Sequence, residues 1–228
     1  MFLDPLYFIL VGPAILVSLW ASYRVQSTFR KYNAVPVSSG LTGAEAARAL
    51  LARNALELDV EEVAGQLSDH YDPRVHKLRL SSDVYRGRSI GAVGVAAHEA
   101  GHALQHATGF RPLLFRQNLA PLAGFGSKAS WFLILGGFLL GVVGLVQIGV
   151  VLFAAVVLFQ LVTLPVELDA SARAKRMVAD YGLVTEAELT GVASVLGAAA
   201  WTYVAAALSG ILTLLYYLVR SGMLGRNR

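Results

Sequence analysis

The stretch from Val95 to Ala107 reads V-A-A-H-E-A-G-H-A-L-Q-H-A and lies in a run of helix-forming residues. Within it, His98 and His102 are four residues apart, about one helical turn, so both imidazoles project from the same face. Two imidazoles placed in this way can bind one metal ion, and Glu99 can reach a water on that ion. The spacing predicts a helix over 90–107 that carries a zinc site, with Glu99 as candidate general base.

A catalytic zinc ion needs a third protein ligand beside the two histidines. His106 shares their helix face, but it lies eight residues from His98, about 12 Å along a helix, which is too far to share the ion. The longer H-E-x-x-H-x-x-G-x-x-H pattern does not apply, because Gln105 and Thr108 occupy its glycine and last histidine positions. The chain has no cysteine, so thiolate ligands are excluded and the third ligand must come from elsewhere.

The strongest candidate is Glu167, in the segment L-P-V-E-L-D-A-S that begins at Leu164. It is the first acidic residue after a charge-free stretch of 38 residues, and Pro165 before it can open a helix. A carboxylate at a membrane boundary is costly unless it is paired or metal-bound. Asp169 is the second candidate, as a ligand or as an acceptor behind a ligand histidine. Alternatively, both acids mark the membrane edge and pair with Arg173.

Long charge-free stretches predict that this site is attached to a membrane. The chain has 228 residues, of which 56% are hydrophobic and 15% charged, too apolar for an ordinary soluble domain. A bilayer core needs about 20 apolar residues per helix, so we predict a mainly α-helical integral membrane protein with four spans. A turn near Gly144 to Gly149 joins the middle two, and one bent or re-entrant segment over 129–166 is the alternative. The four spans are 5–23, 129–147, 149–166 and 199–219.

Lysine and arginine are concentrated in two polar segments. The segment 24–128, which contains the motif, carries thirteen of the nineteen basic residues, and the segment 167–198, with the third ligand, adds three more. The positive-inside rule therefore places both in the cytoplasm and the N-terminus outside. Four spans leave Arg220, Arg226 and Arg228 outside, against that rule. The net charge of +4 fits segments that face anionic lipid, and no nucleic-acid partner is expected.

The first polar segment has its own order of elements. Thr42 and Glu45 form a T-x-x-E capping box before a predicted helix over 44–56. Residues 75–82 alternate as a strand shortly before the motif helix. We expect this strand to lie at the edge of an α+β catalytic portion, beside the motif helix. It either accepts an extended peptide by strand addition or is only part of a structural hairpin.

Three stretches carry a resemblance that spans nearly the whole chain. They are D-H-Y-D-P-R-V-H-K-L-R-L-S from Asp69, the motif stretch from Val95 and the L-P-V-E-L-D-A-S segment from Leu164. By these stretches the chain resembles the YugP-type family of membrane neutral zinc metallopeptidases. It is more distantly similar to the HtpX and CAAX prenyl protease group. The resemblance implies a zincin-like endopeptidase in a bacterial cell membrane, acting on membrane or membrane-proximal proteins from the cytoplasmic side.

The resemblance also assigns roles to residues. It implies Zn²⁺ as cofactor, Glu99 as the base and three metal ligands, which are His98, His102 and Glu167. One position departs from the pattern, since HtpX-like proteins have E-x-x-A-D and Ser171 stands where that aspartate would be. The supporting role of the aspartate is therefore not carried onto Ser171. The sequence does not rank the candidate oxyanion donors, which are His76, His106, Arg173 and Tyr181.

Two other interpretations stay open. A site-2-type intramembrane protease also carries H-E-x-x-H in an apolar helix, but it uses a later aspartate as third ligand. Separate variants of Glu167 and Asp169 distinguish it from the first interpretation. A non-catalytic membrane scaffold with a structural zinc ion predicts that Glu99→Gln keeps zinc and every phenotype. The substrate and the oligomeric state are not readable from the sequence.

Overall fold

The computed structural model describes residues 4–224, which form mainly helices and one small sheet. Four of the helices are long and apolar enough to cross a bilayer, which matches the predicted number of spans. In chain order, the elements are α1 (Pro5–Asn33), α2 (Gly43–Arg53), β1 (Asp59–Val63), β2 (His70–Asp72), β3 (Lys77–Ser81), α3 (Ser82–Tyr85), α4 (Ile90–Ala107), α5 (Arg111–Leu140), α6 (Val143–Asp180) and α7 (Glu186–Arg220). The four candidate spans are α1, α5, α6 and α7.

The chain divides into two compact units. The first unit, called here the apolar unit, comprises Met1–Ala21, Leu114–Pro165 and Thr202–Arg228. The second, called here the motif unit, comprises Ser22–Leu113 and Val166–Trp201 and contains the sheet and the H-E-x-x-H helix. All four long helices, α1, α5, α6 and α7, contribute residues to both units.

Within the apolar unit, α5 and α6 are joined by a tight turn at Gly141 and Val142. The predicted turn near Gly144 to Gly149 is therefore wrong, because the chain leaves the helical conformation three residues earlier, at Gly141. Gly141 has φ +69°, a left-handed conformation that glycine adopts without a steric penalty because it has no Cβ. The Val142 N–H donates to the Gly137 carbonyl oxygen at 2.9 Å and so closes the end of α5. The structure has two separate helices here, α5 and α6, so the alternative of one bent or re-entrant segment is also wrong.

The third ligand segment belongs to a continuous helix. α6 runs for 38 residues from Val143 to Asp180 with Pro165 inside it, so Pro165 does not open a new helix as predicted. Proline removes one backbone hydrogen bond, a loss that long apolar helices tolerate when neighbouring structure supports them. Glu167 therefore has a position fixed by helix geometry, two residues after the proline.

In the motif unit, β3 is the central strand of the sheet, with β1 parallel to it and β2 antiparallel to it. The predicted strand over 75–82 thus exists as Lys77–Ser81, with Leu78 and Leu80 fully buried. Its predicted edge position is wrong, because β1 and β2 occupy both of its sides. The edge strand that contacts the motif helix is β2, through Tyr71.

Helix α2 supports the back of the motif helix. The predicted capping box is confirmed: the Glu45 N–H donates to Thr42 Oγ1 at 3.1 Å, and the Thr42 N–H donates to Glu45 Oε2 at 2.7 Å. α2 ends at Arg53, before the predicted residue 56, because Ala55 takes a left-handed conformation with φ +54°. The fully buried Leu50 lies in the same core as Val93 of α4. Burying such side chains stabilises the fold by about 1.5 to 3 kcal/mol each.

Candidate metal centre

Helix α4 has the predicted bounds, Ile90 to Ala107, and its start is fixed by a cap. Ser89 Oγ accepts from the Ala92 N–H at 3.1 Å and donates to Asn33 Oδ1 at 2.7 Å. About three turns further along, Gly101 lets α4 approach α6 closely, since a Cβ there would lie 2.6 Å from the carbonyl oxygen of Ala170. The motif helix and the helix of the third candidate ligand therefore meet beside His102.

Two imidazole nitrogens converge on one carboxylate oxygen at this meeting point. His98 Nε2 lies 3.2 Å from Glu167 Oε2, and His102 Nε2 lies 3.4 Å from the same oxygen. Ligand atoms around a tetrahedral zinc ion with bonds of about 2.05 Å are separated by about 3.3 Å. Both histidine nitrogens thus lie from the Glu167 oxygen at about the spacing that zinc requires, and the ligand atoms of all three residues lie within 4.8 Å of one another. In the described part of the chain they form the one group of three or more His, Cys, Asp or Glu that could hold a metal ion.

The remaining ring nitrogens face polar side chains. His98 Nδ1 lies 3.2 Å from Ser171 Oγ, and His102 Nδ1 lies 3.0 Å from Gln105 Oε1. An acceptor at Nδ1 holds the proton there and leaves Nε2 free to bind a metal ion. Ser171, onto which the sequence carried no role, thus lies where it can orient His98.

Asp169 lies outside this group. Its Oδ2 accepts from Arg173 Nε at 2.6 Å and from Gln105 Nε2 at 2.9 Å. The predicted pairing with Arg173 is therefore found for Asp169, while Glu167 faces the histidines. The sequence also predicts Asp169 as an acceptor behind a ligand histidine. Its contact is with the side-chain amide of Gln105, and that amide in turn contacts His102.

The group is largely shielded, with a small opening to solvent. The side chains of His98 and His102 are each 12% exposed, and that of Glu167 is 3% exposed. Burial disfavours a charged His102 ring, but the hydrogen bond to Glu167 and the charge of Glu99 outweigh it and raise the pKa of His102. Acidic groups thus favour positive charge here, and a metal cation can supply that charge.

Glu99 is buried beside the group and is held by the sheet. It is 7% exposed, and its Oε2 accepts from the Tyr71 N–H of β2 at 3.0 Å. The N–H donor fixes the position of this carboxylate beside the two histidines. Sequence reasoning missed Tyr71, although it lies in the D-H-Y-D-P-R stretch that carries the family resemblance.

Two of the four candidate oxyanion donors form a small aromatic cluster with Tyr71. The Tyr71 hydroxyl lies 2.7 Å from His106 Nδ1, and the rings of His76 and His106 are 5.4 Å apart between centroids. Arg173 is instead bonded to Asp169, and the Tyr181 hydroxyl donates to an asparagine of α2's C-terminal cap at 3.4 Å. The cluster places His76 and His106 on the β2 side of the motif helix.

Comparison with known proteins agrees with this geometry. A family model described as "Putative neutral zinc metallopeptidase" matches residues 7–222. A protein of Bacillus subtilis (strain 168) named "Putative membrane protease YugP" is 48% identical over 215 residues, which cover 94% of this chain and 96% of that protein. No solved structure matches the chain. Since the family model covers almost all of the sequence, the chain belongs to this family of neutral zinc metallopeptidases.

Proposed function

We propose that the chain is a membrane-embedded zinc endopeptidase with His98, His102 and Glu167 as metal ligands and Glu99 as general base. The observation that carries the proposal is the convergence of two imidazole Nε2 atoms on one Glu167 oxygen, directly beside a buried Glu99. Two imidazoles and a carboxylate are a ligand set of zinc hydrolases, in which a fourth position stays open for water. Membership of a zinc metallopeptidase family supports the same metal.

The chemistry divides between the metal and the side chains. Zinc, when bound, lowers the pKa of a water and polarises the scissile carbonyl. Glu99 accepts a proton from the attacking water and returns it to the leaving amine. The Tyr71 N–H holds the Glu99 carboxylate in place while Gln105 and Ser171 orient the two histidines.

Strand β2 offers a short edge for an extended substrate. The Tyr71 N–H points away from β3, toward Glu99, and in an antiparallel pair the carbonyl of that residue points the same way. We infer that this carbonyl accepts a hydrogen bond from a substrate peptide lying between β2 and α4. With three residues in β2, strand addition contributes little affinity, so side chains of the substrate must supply the rest.

The first substrates to consider are membrane or membrane-proximal proteins, hydrolysed on the cytoplasmic side. Four apolar helices attach the site to a bilayer, and the relative from B. subtilis is named as a membrane protease. In this proposal the short sheet and the metal helix form a zincin-like arrangement that faces the cytoplasm. The cytoplasmic side is supported by the concentration of lysine and arginine in 24–128 and 167–198.

The test compares the wild type with Glu99→Gln in detergent, using zinc content and cleavage of a peptide library followed by mass spectrometry. We expect about one zinc per chain in both proteins, because Glu99 is not a ligand. Cleavage should fall about 10² to 10⁴-fold in the variant, because the proton acceptor is lost. Unchanged cleavage in Glu99→Gln would refute the role of Glu99. Zinc binding without any cleavage by the wild type would favour the scaffold interpretation.

A further inference from the structure

Gln105 is a polar side chain with no solvent exposure at the interface of α4 and α6. It follows His102 by three residues, on the same side of the helix as Gly101 and the two histidines. Its amide contacts three groups: the ring of His102, the backbone of Val166 and the carboxylate of Asp169. A fully buried amide whose oxygen and both N–H groups have partners, one of them a candidate metal ligand, calls for a reason.

The orientation of the amide follows from its partners. The Gln105 nitrogen lies 2.7 Å from the carbonyl oxygen of Val166 and 2.9 Å from Asp169 Oδ2, and both partners are acceptors. Arg173 also donates to the same Asp169 oxygen, at 2.6 Å, so that oxygen acts as an acceptor. The NH₂ group therefore faces α6, and the amide oxygen must face His102.

That orientation decides the tautomer of His102. The amide oxygen lies 3.0 Å from His102 Nδ1 and can only accept, so the ring proton must lie on Nδ1. His102 Nε2 is then unprotonated on the side of Glu167 Oε2. The contact of His98 with Ser171 lacks this property, because a hydroxyl can donate or accept.

We propose that Gln105 is the positioning residue that prepares His102 and Glu167 for the metal together. It selects the Nδ1–H tautomer of His102, and its bond to Val166 ties α4 to the residue before Glu167. Losing such a partner of a metal-binding histidine typically costs about 10- to 100-fold in metal affinity. The inference rests on the metal centre proposed above.

The test measures the zinc dissociation constant of the full chain in detergent by competition with a chelating dye, for the wild type, Gln105→Met and Gln105→Glu. Gln105→Met loses the amide donors and also the acceptor for His102 Nδ1. In Gln105→Glu, burial beside the Asp169 carboxylate favours the neutral acid, whose O–H replaces one of the two amide N–H donors while its other oxygen still accepts from His102 Nδ1. We expect zinc affinity to fall about 10- to 100-fold in Gln105→Met and to stay near the wild-type value in Gln105→Glu. The melting temperature of each zinc-free variant, measured in parallel, reports the loss of the interhelical bonds alone.

Three outcomes overturn the inference. Equal weakening of zinc affinity in both variants would show a purely structural tie between α4 and α6. Unchanged affinity in Gln105→Met would reject the positioning role and leave the three-ligand centre standing. Absence of zinc binding by the wild type would reject both the centre and this role.

A second measurement needs no variant of Gln105 and so does not depend on its folding. Nitrogen-15 NMR of histidine-labelled, zinc-free wild type at alkaline pH, with the His102 signals assigned by their loss in His102→Gln, reports which ring nitrogen carries the proton. We expect the Nδ1–H tautomer. The Nε2–H tautomer at His102 would overturn the inference.

Discussion

Glu167 and Asp169 are two residues apart on α6 and serve different partners. Residues two apart on a helix point about 200° away from each other. Glu167 faces the two histidines, whereas Asp169 faces Gln105 and Arg173. Because they are close in the sequence, both were candidates for the third metal ligand. Helix geometry points them in different directions and so gives them different partners.

This separation predicts opposite results for two conservative variants. Glu167→Gln should lose bound zinc, because an amide is a far poorer zinc ligand than a carboxylate. Asp169→Asn should keep about one zinc per chain, since an asparagine oxygen still accepts from Gln105 and Arg173. Metal analysis of the two purified proteins checks this. The reverse pattern would favour the site-2-type interpretation, in which an aspartate is the third ligand.

The raised pKa of His102 predicts how zinc affinity depends on pH. A protonated imidazole cannot bind zinc, and a raised pKa moves the onset of protonation to higher pH. Zinc affinity should therefore begin to fall at a pH above the usual histidine pKa and decline about tenfold per further pH unit. Because the charge of Glu99 contributes to the raised pKa, Glu99→Gln should move the onset to lower pH. Zinc titrations at a series of pH values measure both onsets, and identical onsets would contradict the role of that charge.

The residues that a sequence can reveal here are those whose partners lie on the same helix. His98, Glu99 and His102 follow from one turn of spacing, and the structure places them together on α4. Glu167 required an argument about charge at a membrane boundary, because it lies 69 residues from its partner His98. Gln105 escaped notice because its partners are backbone and side-chain atoms of another helix, for which sequence spacing gives no signal.

At the scale of elements, the crossing of α4 and α6 depends on the absence of one side chain. Gly101→Ala would place a Cβ 2.6 Å from the Ala170 carbonyl oxygen, so the helices must separate. We expect a loss of about 1 to 3 kcal/mol in stability, typical of overpacking, and weaker zinc binding because Glu167 moves with α6. Thermal unfolding and zinc titration measure the two effects.

Gly197→Ala provides the matched control for this prediction. Gly197 lies in α7, and a Cβ there would meet no atom within 4 Å. Alanine is favoured over glycine in a helix by about 0.8 to 1 kcal/mol, so this variant should be as stable as the wild type or more so. If both variants behaved alike, the close crossing at Gly101 would not control the centre.

The small sheet shows why the strand order could not be predicted. β3 has a clear alternation of apolar residues, and it is found where the sequence places it. β1 reads D-V-E-E-V, with a single buried residue, and β2 has three residues, too few to show a period of two. Without these two strands β3 looked like an edge, and the strand beside the motif helix was misidentified.

For the whole molecule, the first and last candidate spans are tied together at their ends within the apolar unit. Asp4, just before α1, accepts from the Tyr216 hydroxyl at 3.0 Å and pairs with Arg220 Nε at 3.2 Å, near the end of α7. The start of α1 and the end of α7 therefore lie at the same end of this unit, as an even number of spans requires. Arg220 thus has an ionic partner in Asp4, but the positive-inside rule counts basic residues rather than net charge, so an outside location of Arg220 still departs from the rule. Arg226 and Arg228 lie outside the described residues.

Single cysteine variants can test the proposed orientation, because the chain has no cysteine of its own. Val142→Cys lies in the α5–α6 turn and should react with a membrane-impermeant maleimide in intact cells. Glu57→Cys lies in an exposed loop of the motif unit and should react only after the membrane is opened. Labelling of Glu57→Cys in intact cells, with Val142→Cys protected, would show that the site faces outward.

The tight turn between α5 and α6 also bears on when, during synthesis, the proposed metal centre can assemble. The two histidines are synthesised well before Glu167, and the hairpin of α5 and α6 lies between them in the chain. Glu167 can reach the histidines only after that hairpin has folded back at Gly141. A ribosome-bound or incompletely inserted chain therefore has two of the three proposed metal ligands and an incomplete centre. Under the proposed function, peptidase activity would begin only when both helices of this hairpin are inserted, so membrane insertion itself would keep the newly made chain inactive.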